Sequence, residues 1–223
     1  MTAKAIGRNR RLVLATVVAA ILVATAAVAI TGAFAGEQKL SAGAFHDAMR
    51  KIWEDHVTWT RLAIVSLVAG LADTNATVGR LMQNQADIGN AIRPFYGDAA
   101  GDHLTALLKD HIAIAAEIIL AAKAGNQSGV DDTRGRWYAN ADAITSFLSG
   151  ANPKNWSLQM MQHMMHEHLD LTLQEAVAQL TGDYPASVAA YDAVHGQILG
   201  MADMLSAGII DQFPQMFHGP VPA

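Results

Sequence analysis

From residue 45 onward the apolar residues recur at intervals of three and four, and no run of β-branched alternation bounded by turns interrupts them. This periodicity predicts an all-α body of six helices. The first runs from about Phe45 to Gly70, and Asp73-Thr74-Asn75 caps a second that ends near Pro94 and Gly97. Asp98 opens a third that stops at Gly125, and Asp131 and Asp132 open a fourth that fails between Gly150 and Pro153. Ser157 opens a fifth ending at Gly182, Pro185 sits in the first turn of a sixth, and the proline-bearing tail from Pro214 to Ala223 reads as loose.

Short connections between six helices predict three antiparallel hairpins, and weak self-similarity relates them. Asp55-His56-Val57, Asp110-His111-Ile112 and Glu167-His168-Leu169 recur at similar spacing in the first, third and fifth helices. Gln85-Ala86-Asp87-Ile88 and Asn140-Ala141-Asp142-Ala143 do the same in the second and fourth, with Tyr191-Asp192-Ala193-Val194 as the nearest counterpart in the sixth. On that alignment the third hairpin is shorter than the others. Three related hairpins are enough to bury a shared core. The expected architecture is a six-helix bundle occupying residues 36–217, with 218–223 as a tail.

Ahead of the bundle the pattern changes. Lys4, Arg8, Arg10 and Arg11 precede Leu12 to Ala35, a stretch of 24 uncharged residues. As a helix it reaches about 36 Å, enough to cross the hydrocarbon layer, which favours a retained anchor. Ala33-Phe34-Ala35 before Gly36 is a small-x-small pattern, which favours cleavage. Residues 1–35 are therefore expected to be a signal peptide or a transmembrane signal anchor, with Arg10-Arg11 loosely resembling a twin-arginine signal. Either outcome puts the body outside the cytoplasmic membrane, anchored or secreted.

The segment also redistributes charge. Four of the 15 Lys and Arg lie within it and none of the 20 Asp and Glu does, so the body holds 11 bases against 20 acids, a net −9. An acidic body is a poor partner for nucleic acid. The expected partners are the membrane, through an uncleaved N-terminal segment, and a protein of the cell envelope. The absence of cysteine excludes disulfides, thiolate metal sites, iron–sulfur clusters and covalent haem attachment. Gly-x-Ser-x-Gly, a phosphate loop and His-Glu-x-x-His are also missing, as is the Glu-x-x-His of carboxylate di-iron bundles; one Asp-x-x-His, Asp192 to His195, is present. A non-covalent haem pocket has no spacing in its favour.

The strings Trp53-Glu54-Asp55-His56-Val57-Thr58-Trp59-Thr60-Arg61, Arg93-Pro94-Phe95-Tyr96-Gly97 and Arg136-Trp137-Tyr138-Ala139-Asn140-Ala141-Asp142 resemble a group of bacterial exported, all-helical cell-envelope proteins of unassigned activity. The resemblance spans most of residues 45–217. It implies those domain limits and no catalytic residue.

The histidines carry the candidate chemistry. His56, His111 and His168 either converge in the interior to bind a metal, with Asp87, Asp142 and Asp192 as ligands or orienting partners, or each forms a buried clasp with the aspartate of its own hairpin. Met160 to His168 gathers four of the ten methionines and three of the nine histidines. Thioether and imidazole together suit copper. Helical spacing divides this segment: Met161, Met165, His168 and Thr172 share a face that reads as core, and Met160, His163, Met164 and Glu167 share the next. His163, His166, Met164 and Glu167 are candidate outer ligands, and His195, Met201 and Met204 of the sixth helix can join them. Trp53, Trp59, Trp137 and Tyr138 read as core or interface anchors, and His46, His103 and His218 as solvated.

Overall fold

The computed structural model describes residues 39–220, so the N-terminal signal or anchor expectation and the last three residues lie outside the described residues. The body is all-α. Six helices follow one another: α1 (Ala42–Ala69), α2 (Thr74–Tyr96), α3 (Asp98–Lys123), α4 (Gln127–Ala151), α5 (Leu158–Thr181) and α6 (Tyr184–Gln212). Each packs on the next and α6 packs back on α1, so the bundle closes as a ring, while α1 also reaches across to α3 and α5.

The ends of the helices follow their sequence signals. Ser41, Ser157 and Asp183 accept hydrogen bonds from the backbone N–H groups of Ala44, Met160 and Ala186, and satisfy donors that α1, α5 and α6 would otherwise leave unpaired. Gly70 and Gly182 close α1 and α5 in the left-handed conformation. The fourth helix starts earlier than Asp131: Asn126 caps it by accepting from Gly129 N–H, so Gln127 to Val130 are helical. Gly125-Asn126 reads locally as a turn, and here the asparagine side chain caps a helix instead.

The tail is tied down as far as His218. Leu40–Ser41 (β1) and Phe217–His218 (β2) form a short parallel pair. Phe217 is thereby carried into an aromatic group with Phe45 and Phe95, at ring separations of 5.2 and 5.5 Å. Aromatic burial of this kind outweighs the chain entropy that the prolines signalled.

Among the described residues α6 is long and apolar enough by length and composition to cross a membrane. Val194, Ile198, Met201, Leu205 and Ile209 on it are buried in the bundle core. Gly101 of α3 meets Gly89 of α2 in a close helix–helix approach. A Cβ at Gly89 would stand 1.9 Å from Thr105 Oγ1 and 2.6 Å from the Gly101 carbonyl oxygen. Gly89→Ala should therefore push α2 from α3 and lower stability by about 1–3 kcal/mol in urea unfolding, whereas Gly79→Ala, with open space around it, should not destabilise.

Candidate functional site

His56 of α1, His111 of α3 and His168 of α5 are all buried and line one cavity of about 20 Å³ at the middle of the ring. The rings of His56 and His168 are 5.8 Å apart. Helix packing supplies the convergence, because α1 touches both α3 and α5 while the closed ring turns their inner faces together. Met161 and Met165 of α5 and Met201 of α6 line the same space, with Trp53, Ile198 and Leu205 among its apolar walls. The inner face of α5 is core as its spacing predicts: Met161, Met165, His168 and Thr172 are all buried.

The expected aspartate clasps are corrected by the structure. Each histidine is matched instead by a neutral amide on the next helix, 29 residues further along the chain. His111 Nδ1 lies 2.7 Å from Asn140 Oδ1 and His56 Nδ1 lies 3.3 Å from Gln85 Nε2, whereas Gln197, at the equivalent place on α6, makes no hydrogen bond to His168. In all three helix pairs an amide also donates to the carbonyl four residues before the histidine: Asn84 to Ile52 at 2.9 Å, Asn140 to Leu107 at 3.1 Å and Gln197 to Met164 at 2.8 Å. The expected shortening of the third unit disappears with this register, since Gln197 rather than Asp192 is the counterpart of Asn140. Asp87 and Asp142 stand two residues after Gln85 and Asn140, about 200° around the helix, and face outward. Asp87 meets Arg80 and Gln83, Asp142 meets His166 and Gln162, and Asp192 is exposed.

The amide orientation fixes the protons. Asn140 spends its N–H on Leu107, so its oxygen faces His111 and the Nδ1 of that ring donates. His111 Nε2 is then a bare lone pair, buried and without a partner, and His168 Nδ1 and Trp53 Nε1 are also buried and unpartnered. Three unsatisfied polar atoms on residues lining one cavity are unusual in a folded protein. About 10–15 Å³ holds one water, so the cavity has room for a single small occupant. Burial drives the imidazoles toward their neutral form: desolvation, with the neighbouring rings adding to it, lowers His56 and His111 to about 3, and desolvation lowers His168 to about 4.

The other candidates are placed elsewhere. His163 and Glu167 are exposed, Met164 is half-buried, and His166 lies between α4 and α5 with its Nε2 2.9 Å from Asp142. His195 pairs with Glu54 at 3.3 Å. The Met/His segment of α5 is therefore split between the interior and two outer faces, because adjacent helical positions point about 100° apart. Among the described residues no three His, Asp or Glu side chains are placed as a ligand set for one ion. His46 is corrected from solvated to buried, with its Nε2 3.0 Å from Asp203, whose carboxylate also holds Arg50. Sequence reasoning missed the amides and the buried pair Arg61 to Glu175, 2.9 Å apart. Glu175 follows His168 by seven residues, a spacing that marks the inner face. Comparison with protein families, with curated proteins and with solved structures finds no match for this chain.

Two outcomes follow. Asn140→Ala, which strands the His111 ring N–H and removes the second hydrogen bond to the Leu107 carbonyl, should cost about 1–3 kcal/mol in equilibrium unfolding. In acid the unfolded chain protonates its histidines below its ordinary value near 6.5 while the native state resists down to about 3–4, so stability falls as pH drops through that window. The metal-free protein should lose up to about 1.4 kcal/mol per imidazole per pH unit there, and His111→Gln should remove about a third of the slope. A flat unfolding profile between pH 6.5 and 4 would contradict the neutral, buried trio.

Proposed function

We propose that the chain is an exported cell-envelope protein, built as three related antiparallel helical hairpins behind an N-terminal signal or anchor, that holds a transition metal, copper first, in its histidine chamber. The observation that carries this reading is the convergence of His56, His111 and His168 with Met161, Met165 and Met201 on one small cavity in which two imidazole nitrogens lack partners. Neutral imidazole is the form that ligates, and thioether beside it suits copper. The residues that bind are then the inner ones, with Asp87, Asp142, His163, His166, Met164, Glu167 and His195 outside the ligand set. The bundle's role is to hold the ion, with the membrane or an envelope protein as the partner outside it.

A second reading, a structural or protein-interaction module without metal, is favoured by the amide clasp, which recurs in each helix pair and fixes register whether or not an ion enters. Metal uptake separates the two. The full chain, purified without an affinity tag of histidines and exposed to a panel of copper, zinc and nickel, should retain about one metal equivalent by elemental analysis. His111→Gln and His168→Gln should abolish retention, and His163→Ala with His166→Ala should leave it intact. No retained metal, or retention that follows His163 and His166, overturns the chamber as the site.

A further inference from the structure

We infer that the chamber selects monovalent copper over copper(II) and zinc; this rests on the metal-binding reading above and adds to it an oxidation state.

Charge is the first discriminator. Among the described residues no Asp, Glu, Lys or Arg lines the cavity. Glu175, the deeply buried acid on α5, is already neutralised by Arg61, and Asp142 is turned outward to His166. An ion at the chamber therefore has lone pairs around it and no counter-charge. The cost of burying a bare ion grows with the square of its charge, so a divalent ion meets about four times the penalty of a monovalent one. Copper(II) and zinc sites offset that penalty with carboxylate or thiolate, or with a wet, open position, and this cavity supplies none of these.

Donor count is the second. His56 Nδ1 is engaged by Gln85 and His111 Nδ1 by Asn140, while His111 Nε2 and His168 Nδ1 are fully buried and unpartnered, so the rings of His111 and His168 are the two imidazoles free to turn a donor to an ion. Two imidazoles and one thioether from Met161, Met165 or Met201 make a low-coordinate, neutral and soft set. Such a set suits copper(I), whereas zinc asks for four ligands and copper(II) for a tetragonal arrangement of nitrogen and oxygen. Space is the third. A cavity of about 20 Å³ admits an ion stripped of its waters and leaves no room for a hydrated one. Shedding water is far easier for a monovalent soft ion than for a divalent one.

The test is a competition titration of the full chain with copper(I) held by bathocuproine disulfonate under anaerobic reducing conditions, set beside titrations with copper(II) and zinc against nitrilotriacetate. One copper(I) per chain, bound about 100-fold or more tightly than copper(II) or zinc, with an X-ray absorption edge of a three-coordinate nitrogen and sulfur site, is the expected result. Met161→Leu combined with Met165→Leu and Met201→Leu keeps the volume, and its fold is checked by its melting curve. This variant should lose about ten- to a hundredfold in copper(I) affinity while zinc binding is unmoved. Equal or tighter binding of zinc or copper(II) at His111 and His168 overturns the selection and leaves the metal site standing. Copper(I) affinity unchanged in the folded triple methionine variant also overturns it. Absence of any bound metal overturns both.

Discussion

A neutral ring nitrogen buried away from water is costly unless something meets it, and the bundle is organised around neutral amides that meet the inner rings of His56 and His111. Asn140 does two things at once: it reaches the imidazole of His111 and bonds the Leu107 carbonyl one turn before it, which fixes α3 and α4 in register. In the first pair Gln85 and Asn84 divide these tasks, and in the third Gln197 bonds the Met164 carbonyl. A carboxylate in the same place would pull a proton onto the ring and leave an ion pair in an apolar cavity, where desolvation outweighs the attraction. Neutral amides hold the rings in place without charging them. That is why the aspartates two residues on are turned away to Arg80 and to His166.

The remaining contacts serve to keep this centre closed. At one end of the chamber Arg61 of α1 spans to Glu175 of α5 and to the Ser187 hydroxyl of α6 at 2.7 Å, and its guanidinium lies 5.5 Å from the Tyr191 ring centre. One cation thus joins the helix that closes the ring to the two it closes against. At the other end an aromatic plug of Phe45, Phe95, Phe213 and Phe217 is completed by the β1 and β2 pairing. Trp156 packs so tightly on α6 that a Cβ at Gly208 would stand 2.1 Å from its indole nitrogen. Both ends exclude water from the imidazoles, and the low pKa values at the centre are the consequence.

The six helices and most of their ends were legible, because a three-and-four apolar spacing and side-chain caps are local signals. Ser157, Gly182 and Pro185 each acted where they stood. The inner histidines were legible as a set for the same reason: they recur on equivalent faces. Their partners were not. Matching the hairpins by the shared Ala-Asp of residues 86–87 and 141–142 weighted the acidic residue, the more conspicuous letter, over the amide two places before it. Only the helical rotation between those two positions decides which one faces inward. His46 was missed because its burial comes from α6 folding back over α1, a contact between residues more than 150 apart that no local pattern records. The tail was misjudged on its prolines when Phe217 was the residue that mattered.

The methionines bear on why this interior is more than well packed. At the position seven before the inner histidine the three helices carry Met49, Leu104 and Met161, and three before it they carry Trp53, Leu108 and Met165. Thirty-three after it stand Gly89, Ile144 and Met201. Packing therefore accepts leucine at the first place, tryptophan or leucine at the second and glycine or isoleucine at the third, and all three are methionine in the third helix pair alone. A gap-filling role would scatter the flexible side chain wherever the core is irregular. Here the thioethers gather on α5 and α6, on the unit whose histidine keeps an unpartnered nitrogen, and line the same cavity as His111. Soft donors collected beside unsatisfied imidazoles, in a chain that has no thiol to offer, are what a buried site for a soft cation requires.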